Sequence, residues 1–576
     1  MLRQYPRPQL ERSNWLNLNG SWAFCYDDDL KGLKEKWYDG HIFDQKITVP
    51  FPYQSQLSGI HDVGRHERVW YHRTFEVEKT DKRVILHFGA VDYETHVFIN
   101  KKLVGTHIGG STSFSFDITD HLLSQDKQEL TLMVYDPSLD PFISRGKQTW
   151  RKDPFECFYD RTTGIWQTVW IEYVDSAGLL SLKMTPNIDN HLVNFYIESY
   201  DESLKDAKIT ISFKGTHVLT ETITLFKRNK QDIEIPGTLY LWSPETPNLY
   251  DVKVEFIKEN HIIDVVKTYF GMRKISIKDK DILLNNQPYY LKLVLDQGYY
   301  HDGLLAYSSE EALMKDIMDA KAMGFNGCRK HEKIEAERFM YYADKLGYLV
   351  SLEMPSQYAF YANEQFGHEW LNAIKRDYNH PSLFMYVPFN ESWGVRNVKA
   401  DKEQQDYITG FYYLTKSLDP SRIVVTNDGW EQTITDISAI HTYRHGKIGD
   451  LARQQEYHKS LTDLDTLLTG IHTDFNHPIY VGEYQYRGEP IVLSEFGGVS
   501  FANQKQNGWG YTGVENKEDY LKELQRIFSV VYESKHFAGF CYTQLTDVEQ
   551  EINGLLTYDR KEKLPFDVIK KVVCND

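Results

Sequence analysis

Two glutamates stand where the chain could do chemistry. Asn390-Glu391-Ser392-Trp393-Gly394 follows the apolar run Leu383, Phe384, Met385, Tyr386 and Val387, and Glu495 follows the apolar stretch Ile491-Val492-Leu493 within Pro490 to Gly498. A run this apolar reads as covered on both faces, as strands of a parallel α/β sheet are, so each glutamate falls at the carboxyl end of a buried strand. In a barrel of parallel strands that end is where polar side chains from several strands converge on one pocket. One carboxyl that protonates a leaving oxygen and a second that attacks an anomeric carbon are what glycoside hydrolysis requires. Either glutamate alone also fits a helix-start charge or a solvated loop residue, and it is the joint pattern with Asn390 that favours chemistry.

The elements that must position this pair form an alternating series. Beyond Phe270-Gly271-Met272-Arg273, eight strands are expected near residues 289–295, 326–331, 348–354, 383–389, 423–427, 437–443, 491–494 and 538–543. Between the first two, Ser308-Ser309-Glu310-Glu311 reads as a capping box, with Leu313, Ile317 and Ala320 at helical spacing and Gly324 as terminator. The helices after the fifth and sixth strands are poorly marked. Eight strands with intervening helices point to a (β/α)8 TIM barrel. Its strand ends would carry Asp296, Arg329 with His331, Glu353, Asn390 with Glu391, Asn427 with Asp428, His441 with Tyr443, Glu495, and Gln544 with Asp547. The opposite ends show no comparable polar series.

Upstream the chain is β-rich. Short β-branched and aromatic runs such as Val84 to Phe88, Thr95 to Ile99 and Leu130 to Val134 imply a sandwich that closes with Gly164 to Glu172. Val252, Val254 and Phe256 alternate with charged neighbours in a second strand series, as in an immunoglobulin-like sandwich. The expected division is 1–175 for an N-terminal jelly-roll β-sandwich, 176–273 for the immunoglobulin-like β-sandwich and 274–576 for the barrel. The second unit shows no polar cluster and reads as a spacer.

Composition narrows the partners. A net charge of -17 lacks the basic footprint that nucleic acid or an anionic membrane attracts. With 39 Tyr and 12 Trp the chain is rich in rings, which suit stacking on sugars as well as cores. No stretch reaches the roughly 18 apolar residues of a membrane span, and the N-terminal residues lack the apolar core of a signal peptide, which implies a cytoplasmic protein unless an export signal has been removed. The five cysteines are far apart and unpaired in spacing, as reduced thiols are.

With these residues in view, the whole chain resembles glycoside hydrolase family 2, the group of β-galactosidases, β-glucuronidases and β-mannosidases. The resemblance lies in Asn14 to Trp22, Thr163 to Trp170, Phe270 to Arg273, Asn390-Glu391 and Ser494 to Gly497. It implies a retaining mechanism with Glu391 as acid/base and Glu495 as nucleophile, and Asn390 on the sugar's 2-hydroxyl. For retention the two carboxyls should lie about 5–5.5 Å apart, and ionised Glu495 should then raise the pKa of Glu391. Tyr443 is expected to donate to Glu495, and Arg329 and His331 to orient the nucleophile or ring hydroxyls. His441 and Asp296 are further candidates for sugar contact, and Trp393, Trp509 and Tyr542 for stacking faces.

Departures from the family bear on the sugar. Where the β-glucuronidases resembled carry an Asn-x-Lys motif whose lysine pairs with the uronate, this chain has Gln550-Glu551-Ile552-Asn553, which disfavours an anionic sugar. The magnesium-binding Glu-x-His of the large β-galactosidases has no counterpart in Met354 to Phe360, so neither metal nor cofactor is expected. A β-D-galactoside is the first expectation and an α-L-arabinopyranoside follows. β-Glucuronidase or β-mannosidase activity, or a catalytically inert carbohydrate-binding protein, are the alternatives. The partner is a glycoside or oligosaccharide, and a homo-oligomer is left open. The aromatic segment from His445 to Glu489 is the expected place for specificity or subunit contact.

Overall fold

The computed structural model describes residues 2–77, 80–362, 364–470, 473, 476–501 and 508–576. The first sandwich packs a four-stranded sheet on a six-stranded one, with strands running between Trp15 and Val174. Its core is the alternate face of those strands, including Trp22, Phe24, Tyr71, Leu86, Val97, Leu132 and Ile171. Sheets of three and four antiparallel strands make the second sandwich, between Leu179 and Phe270. There Ile209, Val252, Val254 and Phe256 point inward.

Arg12 ties these two units together. Its guanidinium donates to Glu172 Oε2 at 2.9 Å, on the first sandwich, and to Asp264 Oδ1 and Oδ2 at 3.0 and 2.8 Å, on the second. All three side chains are buried.

The barrel strands are β1 (Leu291–Asp296), β2 (Gly327–Lys330), β3 (Leu349–Glu353), β4 (Leu383–Val387), β5 (Ile423–Val424), β6 (Ser438–Thr442), β7 (Ile491–Gly497) and β8 (Phe537–Thr543). They form one parallel sheet in the order β5-β4-β3-β2-β1-β8-β7-β6. Inside it, Leu293, Leu295, Met385, Val387, Val425, Ala439, Val492 and Cys541 share a core with Ile282 and Leu284 of the hairpin that precedes β1. The barrel interior is thus packed from its amino end upward, and the open positions are at the carboxyl end.

The helices follow the capping grammar. In α1 (Glu310–Ala322) the Ser309 side chain accepts from Ala312 N, and Leu313, Ile317 and Ala320 are buried. The helix ends before Gly324, whose φ of +96° suits a residue without Cβ. No helix separates β5 from β6, where residues 425–437 form turns. After β6 come α2 (Leu451–Thr462) and α3 (Leu464–Thr469), inside the 445–489 segment, of which residues 471, 472, 474 and 475 lie outside the described residues. The first of them meets the helix that follows β7 through His458 and Glu533, 2.9 Å apart.

One connection of the first sandwich leaves its own domain. Residues 136–163 run over the carboxyl end of the barrel. Arg145 N and Gly146 N both donate to Ser356 O at 3.1 Å, and Tyr358 N donates to Pro141 O at 2.8 Å. Trp509 Nε1 donates to Glu156 O at 2.7 Å and Gln550 Nε2 to Phe158 O at 3.0 Å. The segment therefore walls one side of the strand ends.

Candidate active site

Glu495 lies within β7, two residues before its end, and both of its oxygens are held. Arg329 Nη1 donates to Oε1 at 2.9 Å and Tyr443 Oη to Oε2 at 2.5 Å. Tyr443 is fixed in turn by Thr543 Oγ1 at 2.9 Å and by Tyr511, stacked on it with ring centres 3.4 Å apart. Arg329 is completely buried and its fork is fully used: Nε and Nη2 donate to Glu353 at 2.8 and 3.1 Å, and Nη2 to Asn390 Oδ1 at 3.1 Å. A buried guanidinium with three carboxylate partners, Glu353, Glu495 and Asp428, is a rigid mount, and it leaves Glu495 one orientation.

Glu391 sits just past β4 with φ of +51°, followed by Ser392 at +56°. Two consecutive left-handed residues with side chains are strained, and the turn is held by Glu391 N donating to Asp428 O at 2.9 Å and Ser392 N to Asn427 Oδ1 at 3.0 Å. The turn leaves the Glu391 side chain 21 % exposed, the most open of the polar groups around it.

His441 joins the two halves of the site. Its Nδ1 is 2.9 Å from Glu391 Oε1, and its Nε2 is 3.0 Å from Asp428 Oδ1 and 3.5 Å from Glu495 Oε1. Burial opposes charge on the ring, but Glu495, Asp428 and Glu391 outweigh it and raise the imidazole to about 10. Burial would likewise raise Glu391, yet the bond to His441 and the charges of His441 and Lys147 bring it down to about 2. The expected elevation of Glu391 by Glu495 is therefore not what the structure holds: Arg329 and Tyr443 already answer the nucleophile's charge, and the nearest charge to Glu391 is a cation. Both shifts run toward an ion pair between the imidazole and the Glu391 carboxylate.

One donor atom each from Glu391, His441 and Glu495 lies within 4.8 Å of the others.

Asn390, Arg329, His331, His441, Tyr443, Glu391 and Glu495 thus gather at one place. Asn390 Nδ2 is buried with no hydrogen-bond partner among the described residues, while its oxygen is taken by Arg329. His331 Nδ1 is 3.2 Å from Glu353 Oε2. His441 is enclosed by Glu391, Asp428, Glu495 and the Arg329 guanidinium, so it acts on them and not on a sugar. Trp393 lines the same side, with the Arg396 guanidinium 3.4 Å over its ring and Tyr358 and Phe158 at its edges. With that ring face taken, its buried Nε1 is the group left without a partner among the described residues. Trp509 is a rim residue, 5.4 Å from Tyr511 and anchored to Glu156.

Two candidates fall elsewhere. Asp296 pairs with Lys330 Nζ at 2.7 Å and accepts from Gly298 N at 2.8 Å. It lies beside Lys330 in the ladder, one residue out of phase with inward-facing Arg329, so its carboxylate belongs to the helix side of the sheet. Tyr542 is not a stacking face either. Its ring is wholly buried between Phe496 and Phe528, on the outer side of β8.

Sequence reasoning missed the side chains brought by the 136–163 connection. Lys147, Cys157 and Tyr159 reach the site from the first sandwich. Lys147 Nζ is 3.8 Å from Glu332 Oε1, and Glu391 and Glu495 contribute to holding its charge against burial. Tyr159 Oη donates to Glu551, which also accepts from Asn553 Nδ2 at 2.9 Å. The only signal in the sequence was the aromatic density from Trp150 to Tyr159, which names no partner.

Comparison with known proteins accounts for all three units. The family model described as Glycosyl hydrolases family 2, sugar binding domain, matches residues 16–169; Glycosyl hydrolases family 2 matches 168–273; and Glycosyl hydrolases family 2, TIM barrel domain, matches 275–575. A putative beta-glucuronidase of Formosa agariphila is 26% identical over 424 residues, 70% of this chain and 50% of that protein. A beta-galactosidase of Thermoanaerobacter pseudethanolicus is 25% identical over 445 residues, 71% of this chain and 54% of that protein. The chain spans about half the length of these two relatives. Among solved structures, a beta-glucuronidase of an uncultured Clostridium sp. superposes with a TM-score of 0.78 at 19% identity, covering 99% of both chains.

Proposed function

The chain belongs to family 2 of the glycosyl hydrolases, and on that premise we propose that it is a retaining, exo-acting β-glycosidase of a neutral pyranoside, a β-D-galactoside first and an α-L-arabinopyranoside next. The observation that carries the reading is the approach of a Glu391 oxygen to a Glu495 oxygen within 4.8 Å. That spacing is nearer the about 5–5.5 Å of retaining carboxyl pairs than the about 6.5–9.5 Å of inverting ones, and so favours direct attack on the anomeric carbon.

In the first step Glu391 takes the Nδ1 proton of His441 and passes it to the glycosidic oxygen. The bond from the anomeric carbon to that oxygen breaks as a Glu495 oxygen attacks, and the sugar is held as an ester. Asn390 Nδ2 meets the 2-hydroxyl, a bond that strengthens as positive charge grows on the ring. In the second step Glu391 removes a proton from water, which displaces Glu495, and the proton returns to His441. Arg329 and Tyr443 receive the carboxylate as it leaves.

Neutral glycone is favoured because Asn553 stands where the uronate-binding motif has its lysine, and the added Glu551 carboxyl is fixed by Tyr159 and Asn553. Of the two lysines that follow, Lys561 is exposed and pairs with Asp559 at 2.5 Å, and Lys563 is engaged by Asp547 at 2.6 Å. A β-glucuronide is the second reading, favoured by the names of the relatives and by the buried cation Lys147. A panel of nitrophenyl glycosides decides between them. Release from the β-galactoside with β-galactose as the first-formed anomer supports the proposal, and release from the glucuronide alone replaces it.

A further inference from the structure

Glu332 and Lys147 form the least satisfied polar pair near the catalytic glutamates. The Glu332 side chain is fully buried, and neither of its oxygens has a hydrogen-bond partner among the described residues. Lys147 is nearly as buried, and the hydrogen-bond contact of its ammonium is Cys157 Sγ, a weak acceptor at 3.8 Å. The two approach to 3.8 Å, which is too far for a hydrogen bond. A buried carboxylate and a buried ammonium left this way are costly unless a third group completes them.

Their positions are built, not accidental. Glu332 follows Arg329 and His331 off the end of β2, with φ of +47°. Lys147 follows Gly146, whose φ is +60° and where a Cβ would lie 2.7 Å from Glu332 O. Only a glycine lets the sandwich loop press this closely on the barrel.

One hydroxyl could serve both groups. An oxygen about 2.8 Å from both groups would donate its hydrogen to Glu332 and accept from Lys147. A carboxylate in that place could accept from Lys147 but would face Glu332 with like charge. We infer that Lys147 and Glu332, contributed by different domains, are a specificity-determining clamp that reads a hydroxyl of a neutral sugar, with the second Glu332 oxygen on the adjacent hydroxyl. This rests on the neutral-glycone reading above and names the residues that enforce it.

The test is steady-state kinetics of wild type, Lys147→Met, Glu332→Gln and the double variant on nitrophenyl β-galactoside, its monodeoxy analogues and β-glucuronide. Each single change should lower kcat/KM on the galactoside by about ten- to a hundredfold, and the double variant should lose little more than the worse single. One monodeoxy analogue should be cleaved equally by wild type and Glu332→Gln. Melting of each variant near the wild-type temperature shows that it folds. The clamp is overturned if the losses multiply, if every deoxy analogue responds alike, or if kcat/KM is unchanged and only stability falls, as a buried water site would give. Selective loss of glucuronide turnover in Lys147→Met overturns it too. Wild type inactive on every neutral glycoside sinks the parent reading, whereas active wild type with unresponsive variants sinks only the clamp.

Discussion

His441 touches the carboxyls of Glu391 and Asp428 through its two ring nitrogens, at 2.9 and 3.0 Å. Carboxylates at both nitrogens favour the charged form, and Arg329 Nη1, 3.3 Å from Nε2, opposes it. The acid of the proposed mechanism is therefore the Glu391–His441 pair, which shares one proton across a 2.9 Å contact.

The pair makes stability depend on pH in a set direction. His441 is raised from 6.5 to about 10, so its contribution is complete below 6.5 and is lost as pH rises through about 10. Glu391 is lowered from 4.5 to about 2, so its contribution is complete above 4.5 and is lost as pH falls through about 2. The difference in melting temperature between wild type and His441→Gln should be greatest between pH 4.5 and 6.5 and close toward pH 10. A difference that stays constant from pH 6.5 to 10 would show the imidazole to be neutral.

Replacing Glu391 by alanine should lower kcat by about 10²–10⁴-fold on substrates with poor leaving groups. On aryl glycosides with good leaving groups azide should restore part of the rate and yield the β-glycosyl azide, because a small anion fits the space the carboxyl vacates and displaces Glu495 in place of water. Azide without effect on the variant would assign the acid/base role to another residue.

Tyr443→Phe removes one hydrogen bond to a charged oxygen and leaves the ring stacked on Tyr511. Such a bond contributes about 1.5–3 kcal/mol, so kcat should fall by about ten- to a hundredfold with KM little changed. An equal rise in KM would mean that the phenol binds sugar instead of holding Glu495.

Arg12→Met leaves Glu172 and Asp264 buried at the junction of the two sandwiches with their shared cation gone. Breaking a buried pair in this way costs about 3–5 kcal/mol, and the first transition in urea should move to lower concentration. An unmoved transition would mean that Arg7, 2.9 Å from Glu172, carries the junction alone.

The barrel and its polar ends were legible because buried parallel strands leave an unmistakable apolar run, and whatever polar residue ends the run stands out. Asn390, Glu391, Glu495 and Tyr443 were found that way. Asp296 was misplaced by one residue of phase: a strand end looks the same in sequence whether its side chain turns inward like Arg329 or outward like Lys330. Tyr542 failed for the same reason. The raised affinity of His441 for a proton was out of reach because it depends on three carboxylates from three strands. Lys147 and Tyr159 were invisible as site residues, since nothing in a loop's composition says which distant surface it will cover.

That loop has a consequence for how such a protein can change. Bond cleavage is wired into the barrel, while part of the door is hung on a neighbouring fold. Swapping residues 136–163 for those of a relative should alter which sugars are admitted without disturbing the proton relay, so diet and chemistry can be inherited separately.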